Sequence, residues 1–282
     1  MLKEKGVSLK RICLHLKISR SSFYARKSEK KVKSAVYNPQ DAIVLSQIKE
    51  IRGLHTFWGY RRVWAWLKHR EKIVISKKRT YRIMKENNLL CPKKAFRKNE
   101  AKTKSKPKAT RPNQYWGIDM TKFMINGLGW VYLVIVLDWF TKKIVGFDLS
   151  LRSRTSDWEK ALDMALNNQF KDGVRDKGLN LISDNGSQPT SVAFMKNLSH
   201  LGINQIFTTY DNPKGNAETE RMMRTIKEEV IWINDFETFE EAENTIGKWI
   251  LNDYNKLYIH SALNYKSPEE FENEFFSQRI AA

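Results

Sequence analysis

Between residues 91 and 116 the apolar spacing of this chain changes from helical to strand-like, and no other feature limits its fold as strongly. Three strand-like runs follow in succession: WGIDMTKFMI (116–125), WVYLVIVLDWF (130–140) and KIVGFDLSL (143–151). The first two flank Asn126 and Gly127, a dipeptide that favours hairpins. A helical pattern covers 156–170, with Ser156 as N-cap and Glu159 completing a capping box. Then come LNLIS (179–183), a helix over 191–202 ending at Gly202, INQIFTT (203–209) and a polar helix over 215–229. A meander followed by alternating helices and strands predicts an α/β three-layer core, 114–232, around a mixed five-stranded sheet in the order βββαβαβα. A C-terminal extension, 233–282, with a helix over 238–254, is expected to pack on that core.

The chain before the change reads as all-helical. Residues 6–28 predict a helix–turn–helix: Leu9, Ile12, Cys13 and Leu16 form a narrow apolar stripe, Ile18 plugs the turn, and Ser19 caps the second helix. That second helix would present Arg20, Ser22 and Tyr24, the short polar, basic and aromatic tips that suit a major groove. A helix over 40–52 follows. Residues 54–90 predict a second helical unit in which Phe57, Trp58, Tyr60, Trp64 and Trp66 read as core aromatics. Its Arg61 and Arg62 reach outward, and Ser76 caps its last helix. The helical region is thus 1–90. Residues 91–113, rich in Lys and without apolar periodicity, read as a flexible basic linker that includes Lys104 and Lys106.

Charge follows the same division. Residues 1–110 carry 31 Lys and Arg against 7 Asp and Glu, whereas the remainder carries 19 against 24. A polycation of this density, interleaved with aromatics, points to nucleic acid, which it binds by releasing condensed counterions. No apolar run approaches the roughly 18 residues of a membrane span, and the first residues lack the apolar stretch of a secretory signal. Two cysteines, Cys13 and Cys91, far apart and without metal-ligand spacing to a histidine, fit a reducing cytoplasm and no zinc site.

Three carboxylates carry the chemistry. Asp119 lies mid-strand, Asp184 ends a short strand, and Glu220 follows on a helix after thirty-five intervening residues. Oxygen ligands on separate elements can hold two hard divalent cations about 3.5–4 Å apart, which clamp the attacking and leaving oxygens of a phosphodiester. Glu218 competes with Glu220 but lies about 200° away around a helix. Arg224 and Lys227 share the Glu220 face and are suited to phosphates. Asp138 and Asp148 read as ordinary polar strand positions.

The segments WGIDMTKF, LISDNGSQPTSVAF and NPKGNAETERMMRTIKEE resemble the integrase core of bacterial insertion-sequence transposases of the second-frame (OrfB) type. GYRRVWAWLK, KRTYRIMKENNLL and HSALNYKSPEEF are similar to that family as well, so the resemblance covers nearly the whole chain. It implies an RNase H-like fold and a DDE triad at Asp119, Asp184 and Glu220. It further implies Mg²⁺ or Mn²⁺, two ions, and metal-dependent cleavage and transfer of DNA strands at element ends. Element terminal repeats and target DNA, a homo-oligomer on DNA and the upstream-frame product are the partners it implies. The chain departs from many relatives at Ile182, Pro189 and Gly215, none of which is a metal ligand. Two other readings stay open here: a DNA-binding regulator with an inactive core, and a ribonuclease of the same fold.

Overall fold

The structure, a computed structural model, describes residues 9–16, 19, 39–92, 107–208 and 215–280. The chain divides into two compact units, residues 1–46 and 47–282. In the first, α1 (Leu9–His15) buries Cys13 and exposes Leu14. The rest of the expected helix–turn–helix, with Arg20, Ser22 and Tyr24, lies outside the described residues, as do Lys104 and Lys106. Helix α2 (Gln40–Leu54) runs from the first unit into the second and buries Val44, Ile48 and Ile51, while Ile43 faces outward.

The second unit opens with α3 (Tyr60–His69) and α4 (Lys77–Glu86). Ser76 caps α4 as expected, its hydroxyl accepting from the Arg79 N–H at 3.2 Å. Trp58 and Trp64 are core residues, and the Trp64 indole donates to the Ile75 carbonyl at 2.8 Å; Phe57, expected in the core, is exposed instead, and Trp66 is half-buried.

A five-stranded sheet of order β3-β2-β1-β4-β5 follows. β1 (Tyr115–Ile125), β2 (Gly129–Asp138) and β3 (Ile144–Ser150) form the antiparallel meander, and β4 (Asn180–Ser183) and β5 (Asn204–Phe207) add in parallel beside β1. Ile125 pairs with Gly129, so the hairpin loop has three residues, with Gly127 in the left-handed region at φ 79°. Helices α5 (Thr155–Gln169) and α6 (Val192–Leu201) cover the sheet. Trp116, Ile118, Val134, Trp158, Leu181 and Phe194 lie at the centre of the core they enclose. Gly146 permits the α5 approach, because a Cβ there would fall 2.2 Å from the Ala161 carbonyl oxygen.

Two local expectations need correction. Helix α5 starts at Thr155 with Arg154 as N-cap, not at Ser156; Asp157, three residues on, accepts from the Arg154 N–H at 2.9 Å in place of Glu159. β2 stops at Asp138, not at 140, because the Asp138 carboxylate turns the chain by accepting from the Phe140 and Thr141 N–H groups at 2.7 and 2.8 Å. Asp138 is therefore a buried turn-former rather than a plain polar strand position.

Helix α7 (Ala217–Ile226) continues as a π-helical turn over Lys227–Ile231. Helix α8 (Phe239–Lys248) has Thr238 as its cap and also runs on as a π turn, Trp249–Tyr254. The extension packs on the edge of the sheet: the Asn255 amide accepts from the Ile144 N–H at 3.0 Å and donates to its carbonyl at 2.9 Å. Helix α9 (Pro268–Ile280) completes the described chain. Among the described residues no helix is long and apolar enough to cross a membrane.

Candidate active site

β1 and β4 run parallel in register, Gly117 opposite Ile182, so Asp119 in the middle of β1 and Asp184 just past the end of β4 come to neighbouring positions. Gly117 and Asp119 share a strand face. That face receives α7 closely, because Gly117 has no side chain to hold it off. The Trp139 indole donates to Thr219 Oγ1 at 3.1 Å and ties α7 to the sheet. Glu220 is the next residue after Thr219.

The three carboxylates have different surroundings. Asp119 is partly buried, and its Oδ1 accepts from the Met120 N–H at 2.8 Å. Asp184 and Glu220 are exposed. Asp184 Oδ1 accepts from the Gly186 N–H at 3.0 Å, the geometry of a tight Asp-Asn-Gly turn. Burial pushes the Asp119 carboxyl up to about 7, its Met120 hydrogen bond opposes this, the charges of Asp184 and Glu220 raise it further, and Lys227 lowers it. Asp119 therefore lies in the field of both other acids and of Lys227. The all-oxygen donor set fits a hard divalent cation, which such a concentration of negative charge attracts. Among the described residues, however, no three or more His, Cys, Asp or Glu side chains are gathered into a ready-made metal cage.

Of the other residues expected at the site, Lys227 is half-buried and its charge reaches Asp119. Arg224 is exposed and its Nε donates to Glu228 at 2.8 Å. Glu218 turns away and pairs with Lys142 at 2.9 Å. Arg61 is exposed beside the Tyr60 hydroxyl, to which its Nε donates at 3.2 Å. Arg62 is directed inward: its guanidinium lies 5.5 Å from the Trp58 ring centroid, 5.0 Å from that of Tyr258, and 3.7 Å from Glu229. Sequence reasoning did not find Gly117, Trp139 or Glu229, whose roles depend on partners distant in the chain. Asn216, at the start of α7, buries an Oδ1 that has no hydrogen-bond partner.

The chain matches family models described as an integrase core domain, over residues 109–213 and again over 201–268, and as an HTH-like domain over 39–96. The fold is that of the RNase H-like integrase cores: the chain resembles one in the simian T-cell lymphotropic virus intasome, with a TM-score of 0.50 at 16% identity over 80% of this chain and 74% of that one. A DNA-acting polynucleotidyl transferase of the DDE type is the class this fold and sequence define.

InsK of insertion sequence element IS150 from Escherichia coli K12 is 30% identical over 277 residues, 93% of each chain. The transposase of IS904 from Lactococcus lactis is 38% identical over 165 residues, 58% of this chain and 63% of that protein. Transposase InsD of IS2 from Escherichia coli is 25% identical over 94% of this chain and 90% of its own. The chain belongs to the insertion-sequence transposases, enzymes that cleave and transfer DNA strands.

Proposed function

We propose that Asp119, Asp184 and Glu220 are the catalytic carboxylates of this transposase and hold its divalent cations, two Mg²⁺ or Mn²⁺ ions. The parallel register of β1 on β4, which brings Asp119 beside Asp184, and the close seat of α7 against Gly117 on the Asp119 face carry this reading. Held by these carboxylates, such a cation would supply the charge that activates water and stabilises a leaving oxygen. Around it the chain's own groups position and neutralise. Thr219 and Trp139 tie α7 to the sheet one residue before Glu220. Lys227 supplies positive charge beside Asp119 and is suited to hold a phosphate oxygen, with Arg224 one turn earlier on the same face.

The same proposal assigns DNA contacts to Arg61 and, outside the described residues, to Arg20, Ser22, Tyr24, Lys104 and Lys106. The helical region 1–90 and linker 91–113 would read and hold the element's terminal repeats, and the core 114–232 with its extension 233–282 would act on those ends and on target DNA. Joining two ends calls for a homo-oligomer on DNA, with the upstream-frame product as a further partner, in the bacterial cytoplasm at the nucleoid. The test is cleavage of a labelled duplex bearing the terminal repeat. Asp119→Asn, Asp184→Asn and Glu220→Gln should each abolish it while leaving DNA affinity within about twofold, since none of them removes a positive charge that meets phosphate. Retained cleavage in any of the three removes that residue from the triad.

A further inference from the structure

Glu229 is a buried carboxylate that the chemistry above does not use. Its side chain is 1% exposed and meets three groups of the helical unit preceding the core. The Trp58 indole donates to its Oε1 at 2.8 Å, His55 Nδ1 lies 2.9 Å from its Oε2, and the Arg62 guanidinium stands 3.7 Å from Oε1. His55 stacks on Trp58 at 3.7 Å between centroids. A buried ion pair is a poor source of net stability, since a well-packed apolar side chain often does as well. What it supplies is direction, because several donors converge on one carboxylate.

The direction matters because of where Glu229 sits. It follows Glu220 by nine residues on one continuous helix, about 180° around its axis in ideal α geometry. Lys227, seven residues on, returns to the Glu220 face. The π turn over Lys227–Ile231, in which the Trp232 N–H donates to the Lys227 carbonyl at 2.8 Å, re-aims the side chains that follow. The helix is thus held at one end by Thr219 and Trp139 against the sheet, and at the other by Glu229 against residues 55–62. Glu220 lies between the two attachments.

We propose that Glu229, with Arg62 and Trp58, is a positioning residue: it sets the rotation of the helix that bears Glu220 and couples that rotation to the helical unit at residues 55–90. Arg62 then acts within the protein and not on a DNA phosphate. The inference rests on the assignment of Glu220 as catalytic.

Full-length protein with Glu229→Gln, Arg62→Gln, both together, Trp58→Phe and Glu220→Gln tests it on a labelled duplex carrying the terminal repeat that flanks the coding sequence. Glu229→Gln keeps an acceptor for the Trp58 indole and should fold; Trp58→Phe removes the donor together with part of a fully buried ring, so its Tm is measured beside its rate. Expected is a fall of about tenfold or more in the single-turnover cleavage rate at saturating protein for Glu229→Gln and for Arg62→Gln. DNA affinity should stay within about twofold with an unchanged salt slope, and the double variant should be no slower than either single one, as expected of coupled residues. Trp58→Phe should lower the rate without changing affinity. Weaker binding by Arg62→Gln, with a salt slope smaller by about one, would make Arg62 a phosphate contact and overturn the proposal. So would additive rate effects, or a lowered Tm with an unchanged saturating rate. An active Glu220→Gln instead defeats the triad assignment, separately from the Glu229 results.

Discussion

A Cβ placed on Gly117 would lie 1.9 Å from Thr219 Oγ1 and 2.5 Å from the Trp139 indole nitrogen. The absent side chain of one residue thus determines how near the Glu220 helix comes to the Asp119 strand. Gly117→Ala should force that helix outward. Overpacking of this kind costs about 1–3 kcal/mol, which for a chain of this size lowers Tm by at least about 2 °C. Cleavage should fall by about a hundredfold or more, because small misplacements of reacting groups are costly. A Gly117→Ala protein that cleaves at the normal rate would show that helix position is not critical.

Glu218 and Glu220 should separate cleanly. Glu218 is engaged by Lys142 at 2.9 Å, with both side chains partly exposed. Glu218→Gln removes a pair of the class worth at most about 1 kcal/mol and should change cleavage less than about threefold. Glu220→Gln should abolish it. The reverse order of effects would exchange the two roles.

Asp119 sits under mutual repulsion in the protein without cation. Asp119→Asn removes a partly buried charge repelled by two others, and it should abolish cleavage yet raise Tm in excess chelator by about 2 °C. Added Mg²⁺ should raise the Tm of the unaltered protein and leave that of Asp119→Asn nearly unchanged. Equal Mg²⁺ shifts in the two proteins would place the cation elsewhere.

Excess chelator should stop cleavage, and Mg²⁺ or Mn²⁺ should restore it, as expected for oxygen ligands that favour hard cations. Ca²⁺ should support binding of the duplex better than its cleavage. Full cleavage in chelator would remove the metal from the reaction.

Asp148 provides a pH test away from the triad. Burial pushes its carboxyl up to about 6, Lys160 opposes this, and Asp157 and Glu243 add to it. One of its oxygens, Oδ2, is buried without a hydrogen-bond partner. Because the folded form holds this proton more tightly than the unfolded chain, its contribution to stability is full below about pH 4 and is lost as pH rises to about 6. Asp148→Asn should remove that dependence and raise Tm at pH 7.5 by roughly 1–3 °C, a modest value because the group is partly exposed. An unchanged pH profile of Tm would show that Asp148 titrates normally.

The succession of elements along the chain and the positions of Asp119, Asp184 and Glu220 on them were legible because they rest on local pattern. Alternating apolar residues, Asn126-Gly127 and the Ser76, Ser191 and Gly202 helix ends act over a few residues. Even locally the reading failed where two candidates competed, as when Asp157 rather than Glu159 closed the start of α5. By itself the sequence determined the class of fold and the basic character of the first 110 residues, and it singled out the three acids proposed for the site. Tertiary structure alone decided which face of α7 meets the sheet, that Glu218 is taken by Lys142, and that Arg62 turns inward to Glu229. Those outcomes join Gly117 to Thr219 and Arg62 to Glu229 across long stretches of chain. Close packing and the need to satisfy a buried charge act between surfaces that meet only after folding, so no local periodicity records them.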